Sequence, residues 1–211
     1  MTVRTRNSPL VLDCRPDLRA LCPVCRADPT DATGAVFLDR DGVLVENRDD
    51  YITSVDQLVP FTGITRILTD LVRAGFGLVI VTNQSAVGRG RLTLRQTVEI
   101  HEHLVDLLAR SSVPVHTLIC PHAPVDGCDC RKPAAGLIRT AARRLPLSLE
   151  RSVLIGDSLT DLEAARAVGV PGVLVRTGRG RGQERQLGAA PGSVTVVDDL
   201  AAAGAMILAG T

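Results

Sequence analysis

Ala35-Val36-Phe37-Leu38-Asp39-Arg40-Asp41-Gly42 is an apolar run that ends in two carboxylates and a glycine. Its β-formers predict a buried strand, and Gly42 lets the chain turn away afterwards. Carboxylates two residues apart at the C-terminal end of such a strand project into the crevice where open α/β sheets bind ligands. They repel each other there unless a cation or an incoming proton offsets them. The pair is therefore a candidate nucleophile, acid/base and metal site. The plainer reading is a strand end finished by solvated aspartates, since Asp-x-Asp-Gly also suits an ordinary turn.

Working outward, strand-like segments recur at 77–82, 113–119, 152–155, 172–175 and 194–197. Helical patterns lie between them at 62–74, 93–110, 134–144 and 159–168, with another near 199–208. This alternation predicts a doubly wound α/β fold, a parallel sheet with helices on both faces; the 35–39 strand is expected at its centre. The 211 residues fit one such domain over 34–211, preceded by an extension over 1–33 that lacks periodicity. Apolar residues at 45% supply a core, and with aromatics at 2% the aliphatic side chains and Ala must pack it. A formal net charge of +1 gives no general pull toward nucleic acid or membrane. Apolar runs stay short of the roughly 18 residues of a membrane span, and the first thirteen residues hold no apolar leader. A cytoplasmic protein, monomeric or weakly dimeric, is expected. Its six cysteines then read as thiols or metal ligands and not as disulfides.

Three further segments fall at predicted strand ends. Thr82-Asn83-Gln84-Ser85, followed by Gly88-Arg89-Gly90, offers hydroxyl and amide groups to phosphate oxygens. Gly156-Asp157-Ser158-Leu159-Thr160-Asp161 supplies more carboxylates. Between these, Cys120, His122, Cys128 and Cys130 match the ligand set of a closed, tetrahedral, structural zinc site. Their loop carries Pro121, Pro124 and Gly127 and has little apolar content, so metal would supply its stability. Arg131 and Lys132 follow directly, two cations suited to a phosphate-bearing substrate. Singly, each of these segments is weak. Their convergence on one edge of the sheet is what carries the reading.

Asp39-Arg40-Asp41-Gly42, Thr82-Asn83, Lys132 and Gly156-Asp157…Asp161 resemble, in order, the four motifs of the haloacid dehalogenase (HAD) superfamily over residues 35–175. The cysteine loop and Thr-Asn-Gln-Ser are similar to those of the D-glycero-D-manno-heptose 1,7-bisphosphate 7-phosphatases and the related histidinol-phosphate phosphatases. Thr82–Gly90 is closer to the heptose branch. The resemblance implies a Rossmann-like fold with a zinc-binding loop and no large cap domain. It implies a magnesium-dependent phosphatase acting on a small sugar phosphate, with the 7-phosphate of the heptose bisphosphate as first choice. Histidinol phosphate and other sugar phosphates are the alternatives. By position, Asp39 would attack phosphorus and Asp41 would serve as acid and base. Thr82 and Lys132 would hold the phosphoryl oxygens, and Asn83, Gln84, Ser85 and Arg131 would bind substrate. Asp39, the Asp41 carbonyl and Asp157 would ligate Mg²⁺, Asp161 would orient Lys132, and the cysteine loop would hold Zn²⁺. The pattern departs at Val45 and Ser158, where polar or cationic residues are usual, so fewer substrate contacts are expected there.

Two rivals use the same residues differently. A zinc-stabilised module that binds a phosphorylated partner would need neither Asp39 nor Asp41. A phosphomutase would need a larger cap than 43–61 provides. The remaining features read as structural. Cys14, Cys22 and Cys25 offer part of a second metal site, but with three cysteines and no histidine nearby they are expected as free thiols on a surface segment. Arg176–Arg185 is read as a solvated loop that can alternatively reach a second phosphate. His101, His103 and His116 stand apart from the cysteine loop.

Overall fold

The computed structural model describes residues 8–28, 32–187 and 194–210. Parts of the expected extension, residues 1–7 and 29–31, lie outside the described residues. Seven strands form one sheet in the order β1-β4-β3-β2-β5-β6-β7. They are β1 (Leu10–Leu12), β2 (Thr33–Leu38), β3 (Gly77–Asn83), β4 (His116–Cys120), β5 (Leu147–Gly156), β6 (Gly172–Val175) and β7 (Thr195–Val197). All neighbours are parallel except β1, which pairs antiparallel with β4. As expected, β2 is central, flanked by β3 and β5.

Burial follows the period of two along β2. Val36 and Leu38 join Ile80, Leu68 and Leu71 of the helix α2 (Ile64–Arg73), and Leu104 and Leu108 of α4 (Leu94–Arg110). Ala35 and Phe37 face the other way with Val79 and Val81. There they meet Leu137, Ile138 and Ala141 of α5 (Gly136–Arg144) and Ala164 and Ala165 of α6 (Leu159–Arg166). Both faces of the parallel sheet are therefore covered by helices, and every functional loop is forced to the strand ends. A last helix, α8 (Leu200–Ala209), is N-capped by Asp199, which accepts the Ala202 amide at 2.8 Å.

The segment read as an unstructured extension is built into this frame. Residues 10–12 add the antiparallel edge strand, and the short helix α1 (Pro23–Arg26) brings Val24 into the second core. A three-residue strand and a four-residue helix leave too little periodicity to read from sequence. The stretch 43–61 contains one 3₁₀ turn, Val55–Gln57, and no cap domain. Val45 is fully buried in the core beside Leu44 and bridged to Asp41 and Pro60, so in this chain it is a packing residue.

Candidate active site

Asp39 and Asp41 leave the end of β2 beside the ends of β3 and β5. Gly42 makes that turn with φ +87°, and a Cβ there would stand 2.1 Å from Asp157 Oδ2. Only glycine permits the approach of the two loops. Asp39 Oδ1 accepts from the Arg40 amide at 2.7 Å and lies 2.9 Å from Lys132 Nζ. That fixes the carboxylate and leaves Oδ2 without either donor. Lys132 is buried and also contacts Asp161 Oδ1 at 2.6 Å and the Val81 carbonyl at 2.8 Å. The Val81 contact is a hydrogen bond, and the two carboxylates are its ion-pair partners.

Asp41 is held differently. Arg40, 1% exposed, donates from Nη2 to both of its oxygens at 3.0 Å, and Gln84 Nε2 donates to Oδ2 at 2.8 Å. The same Gln84 amide reaches Thr82 Oγ1 at 2.9 Å. Asn83 pairs both ways with the Lys132 backbone, at 3.0 and 3.1 Å. Thr82, Asn83 and Gln84 thus lock the loops together, and Thr82 is buried beneath the cavity. Ser158 accepts the Thr160 amide at 3.3 Å, and its own amide donates to Asp161 at 3.1 Å, so it caps α6.

The carboxylates carry more negative charge than their partners neutralise. Burial raises Asp39, Lys132 opposes that, and Asp161, Asp157 and Asp41 push it further, to about 7. Burial also raises Asp157, to about 6, against the Arg179 amide that donates to it at 2.8 Å. Burial alone would lower Lys132, yet Asp161 and Asp39 hold its ammonium above the usual range. Asp157 has no ion pair with a cationic side chain among the described residues. Oxygens of Asp39, Asp157 and Asp161 lie within 4.8 Å of one another. A hard divalent cation suits such a set.

A cavity of about 280 Å³ opens over these groups. Asp39, Asp41, Asn83, Gln84, Ser85, Arg131, Lys132 and Asp157 line it, so it gathers most of the residues singled out from sequence. It also gathers Arg48, Tyr51, Arg89 and Arg179, which sequence reasoning missed as site residues. Arg179 lies in the Arg-Gly stretch, where a reach toward a second phosphate was an open alternative. Arg48 and Tyr51 come from a loop with no periodic signal. Tyr51 takes φ 69°, and Arg91 stands 5.4 Å over its ring.

The cysteine loop flanks this cavity. Cys120 Sγ lies 3.7 Å from Cys128 Sγ and 3.5 Å from His122 Nδ1. Cys130 Sγ lies 3.2 Å from His122 Nδ1 and 3.5 Å from Cys128. Tetrahedral zinc with its usual bond lengths separates sulfurs by about 3.8 Å and sulfur from nitrogen by about 3.6 Å. The donor set and its spacing fit zinc. Gly88, ending the short helix α3 (Ser85–Gly88), sits so close that a Cβ would lie 2.3 Å from the Ala123 nitrogen. Arg131 Nη1 reaches the His122 carbonyl at 3.4 Å, which ties this cation to the loop.

Comparison with known proteins places the arrangement. A HAD-hydrolase-like family model matches residues 129–203. The D-glycero-β-D-manno-heptose-1,7-bisphosphate 7-phosphatase of Pseudomonas putida is 41% identical over 79% of this chain and 95% of its own length. The chain belongs to that family of HAD phosphatases. It is a phosphoric monoester hydrolase. The D,D-heptose 1,7-bisphosphate phosphatase of Bordetella bronchiseptica, solved with magnesium and phosphate, superposes with a TM-score of 0.78 at 36% identity. That match takes in 84% of this phosphatase and 99% of the Bordetella chain. A protein from Mesorhizobium loti described as a HAD-like phosphatase matches with a TM-score of 0.75 at 26% identity, over 98% of this chain and 94% of its own.

One expectation is overturned outside the cavity. Cys14 and Cys22 are buried and not surface thiols, and His116, read as isolated, lies 3.7 Å from Cys22 Sγ and 3.4 Å from Cys25 Sγ. The histidine is about ninety positions away in sequence, and the pairing of β1 with β4 brings it there. His101 lies on α4, where it is buried and bonded to Thr117 at 2.8 Å.

Proposed function

We propose that this phosphatase removes the 7-phosphate of D-glycero-D-manno-heptose 1,7-bisphosphate through an aspartyl-phosphate on Asp39. The observation that carries the mechanism is the fixing of Asp39 Oδ1 by Lys132 and the Arg40 amide, which leaves Oδ2 to attack phosphorus. As Asp39 loses its charge to the new ester, the Lys132 proton that it held turns to the phosphoryl oxygens, with the Thr82 hydroxyl beside it. Asp41 gives a proton to the departing sugar oxygen and then takes one from the water that clears the phosphoenzyme. To do so it turns from Arg40, and Arg40 with Gln84 returns it to place. Asp39, Asp157 and the Asp41 carbonyl would hold Mg²⁺, which would neutralise charge on the phosphoryl group. Asp161 orients Lys132. Zn²⁺ in the cysteine loop is structural and keeps Arg131 and Lys132 at the cavity wall.

A bisphosphate is supported by the cations that remain. Lys132 and Arg40 are spent on carboxylates, whereas Arg48, Arg89, Arg131 and Arg179 line the cavity and suit a second phosphate and sugar hydroxyls. Asn83, Gln84 and Ser85 lie at the cavity wall, where their backbone and hydroxyl groups serve the substrate. The test is Mg²⁺-dependent phosphate release from heptose 1,7-bisphosphate, histidinol phosphate and other sugar phosphates, with Asp39→Asn as blank. Preferred release from position 7 of the heptose bisphosphate is expected. Preference for another compound overturns the substrate, and turnover by Asp39→Asn overturns the mechanism.

A further inference from the structure

We propose that Cys14, Cys22, Cys25 and His116 form a second structural zinc site, which pins the N-terminal segment to the outer part of the sheet. One ligand atom from each of the four lies within 4.8 Å of the others, and all six cysteines of the chain are free thiols. The separations of 3.7 and 3.4 Å from Cys22 and Cys25 Sγ to His116 Nε2 bracket the value of about 3.6 Å that tetrahedral zinc requires. Cys22-Pro23-Val24-Cys25 has the two-residue spacing common among zinc ligands, with Cys22 as the N-cap of α1.

The segment has little else to hold it. Residues 13–28 contain a three-residue 3₁₀ turn, Pro16–Leu18, and the four-residue α1, both far too short to persist alone. Beyond these turns, Arg15 pairs with Asp17 and with Asp106 on α4, Asp13 lies 3.9 Å from Arg144, and Cys14, Leu18, Cys22 and Val24 are buried. Four ligands closing on one ion would supply the missing order. Zinc on Nε2 would put the imidazole proton on Nδ1, on the side of Asp13 Oδ1, which stands 3.8 Å away. Nδ1 here accepts from the Cys14 amide at 3.2 Å, a bond that the loaded tautomer would give up.

The site is structural and remote from the chemistry. His116 opens β4 and Cys120 closes it, so that strand carries one ligand of each cluster at its two ends. Four residue steps along the strand set them about 13 Å apart. Three thiolates and an imidazole complete the coordination of zinc and leave no position for substrate.

Metal content of the purified full-length chain tests this without reference to activity. Two zinc ions per chain are expected for the wild type. Cys25→Ser should lose one of them and keep its phosphatase activity, whereas Cys128→Ser should lose the other. A wild-type chain with one zinc, and no change in Cys25→Ser, would overturn the proposal. So would a disulfide among Cys14, Cys22 and Cys25 found by alkylation without reductant. Should Cys25→Ser fail to fold, cobalt exchange into the wild type decides. Thiolate charge-transfer absorption that saturates at two equivalents supports two sites, and saturation at one overturns the second.

Discussion

Asp41 and Asp39 have identical side chains and opposite surroundings, and the difference suits the roles proposed for them. Asp41 is gripped through both oxygens by Arg40 and Gln84, while Asp39 is gripped through one oxygen and pressed upward in pKa by burial and by three other carboxylates. Gln84 is therefore a positioning residue for Asp41. Gln84→Leu should lower kcat about tenfold or more with KM less affected, because removing a group that aligns the acid/base weakens the transition state more than binding. A raised KM with kcat unchanged would assign Gln84 to substrate binding. Asp39→Asn should reduce turnover by at least about three orders of magnitude, with an unchanged circular dichroism spectrum. The raised carboxylates also set a pH dependence. Their folded pKa values, about 7 for Asp39 and about 6 for Asp157, lie above the value of about 3.9 for an unfolded aspartate. Their contribution to stability is then full below pH 4 and is lost as pH rises through 6 to 7. Mg²⁺ binds the ionised forms and competes with the protons. Added Mg²⁺ should therefore raise the melting temperature more at pH 8 than at pH 5, and equal shifts would count against a cation on these groups.

At the level of elements, the cysteine loop is held by its ligands and by its fit against α3. Gly88→Ala drives a Cβ into the backbone of Ala123 and His122, which stand 2.3 and 2.9 Å from its position. Such overpacking costs about 1–3 kcal/mol, a fall of several degrees in melting temperature for a chain of this size. Calorimetry measures it, and an unchanged melting temperature would show that the loop moves aside freely. Losing the loop's metal through Cys130→Ser should cost more activity than fold. Arg131 and Lys132 follow that ligand directly, while β2 to β6 keep both faces covered. Protease nicking within 121–130, with the rest of the chain resistant, is the expected sign.

Across the whole molecule, the N-terminal segment closes one edge of the sheet and caps the second core. Truncation of residues 1–32 would uncover β4 along Thr117–Ile119 and strip Leu18, Cys22 and Val24 from the core. An uncovered strand edge invites pairing with other chains. The truncated chain should melt lower and elute as larger species in size exclusion, and a monomer of wild-type stability would show the segment to be dispensable. Among the described residues, no helix is long and apolar enough to cross a membrane. The amino-acid sequence by itself determined the alternation of strands and helices, the motif aspartates at strand ends and the clustered side chains of the cysteine loop. Each of those signals is local: a period of 2 or 3.6, a strand end, or ligands within eleven residues. Tertiary structure alone decided that Val45 packs in the core, that Arg48, Tyr51, Arg89 and Arg179 reach the cavity, and that His116 meets three cysteines from the N-terminus. These depend on pairings between segments distant in the chain, and no periodicity within one segment records where another will lie.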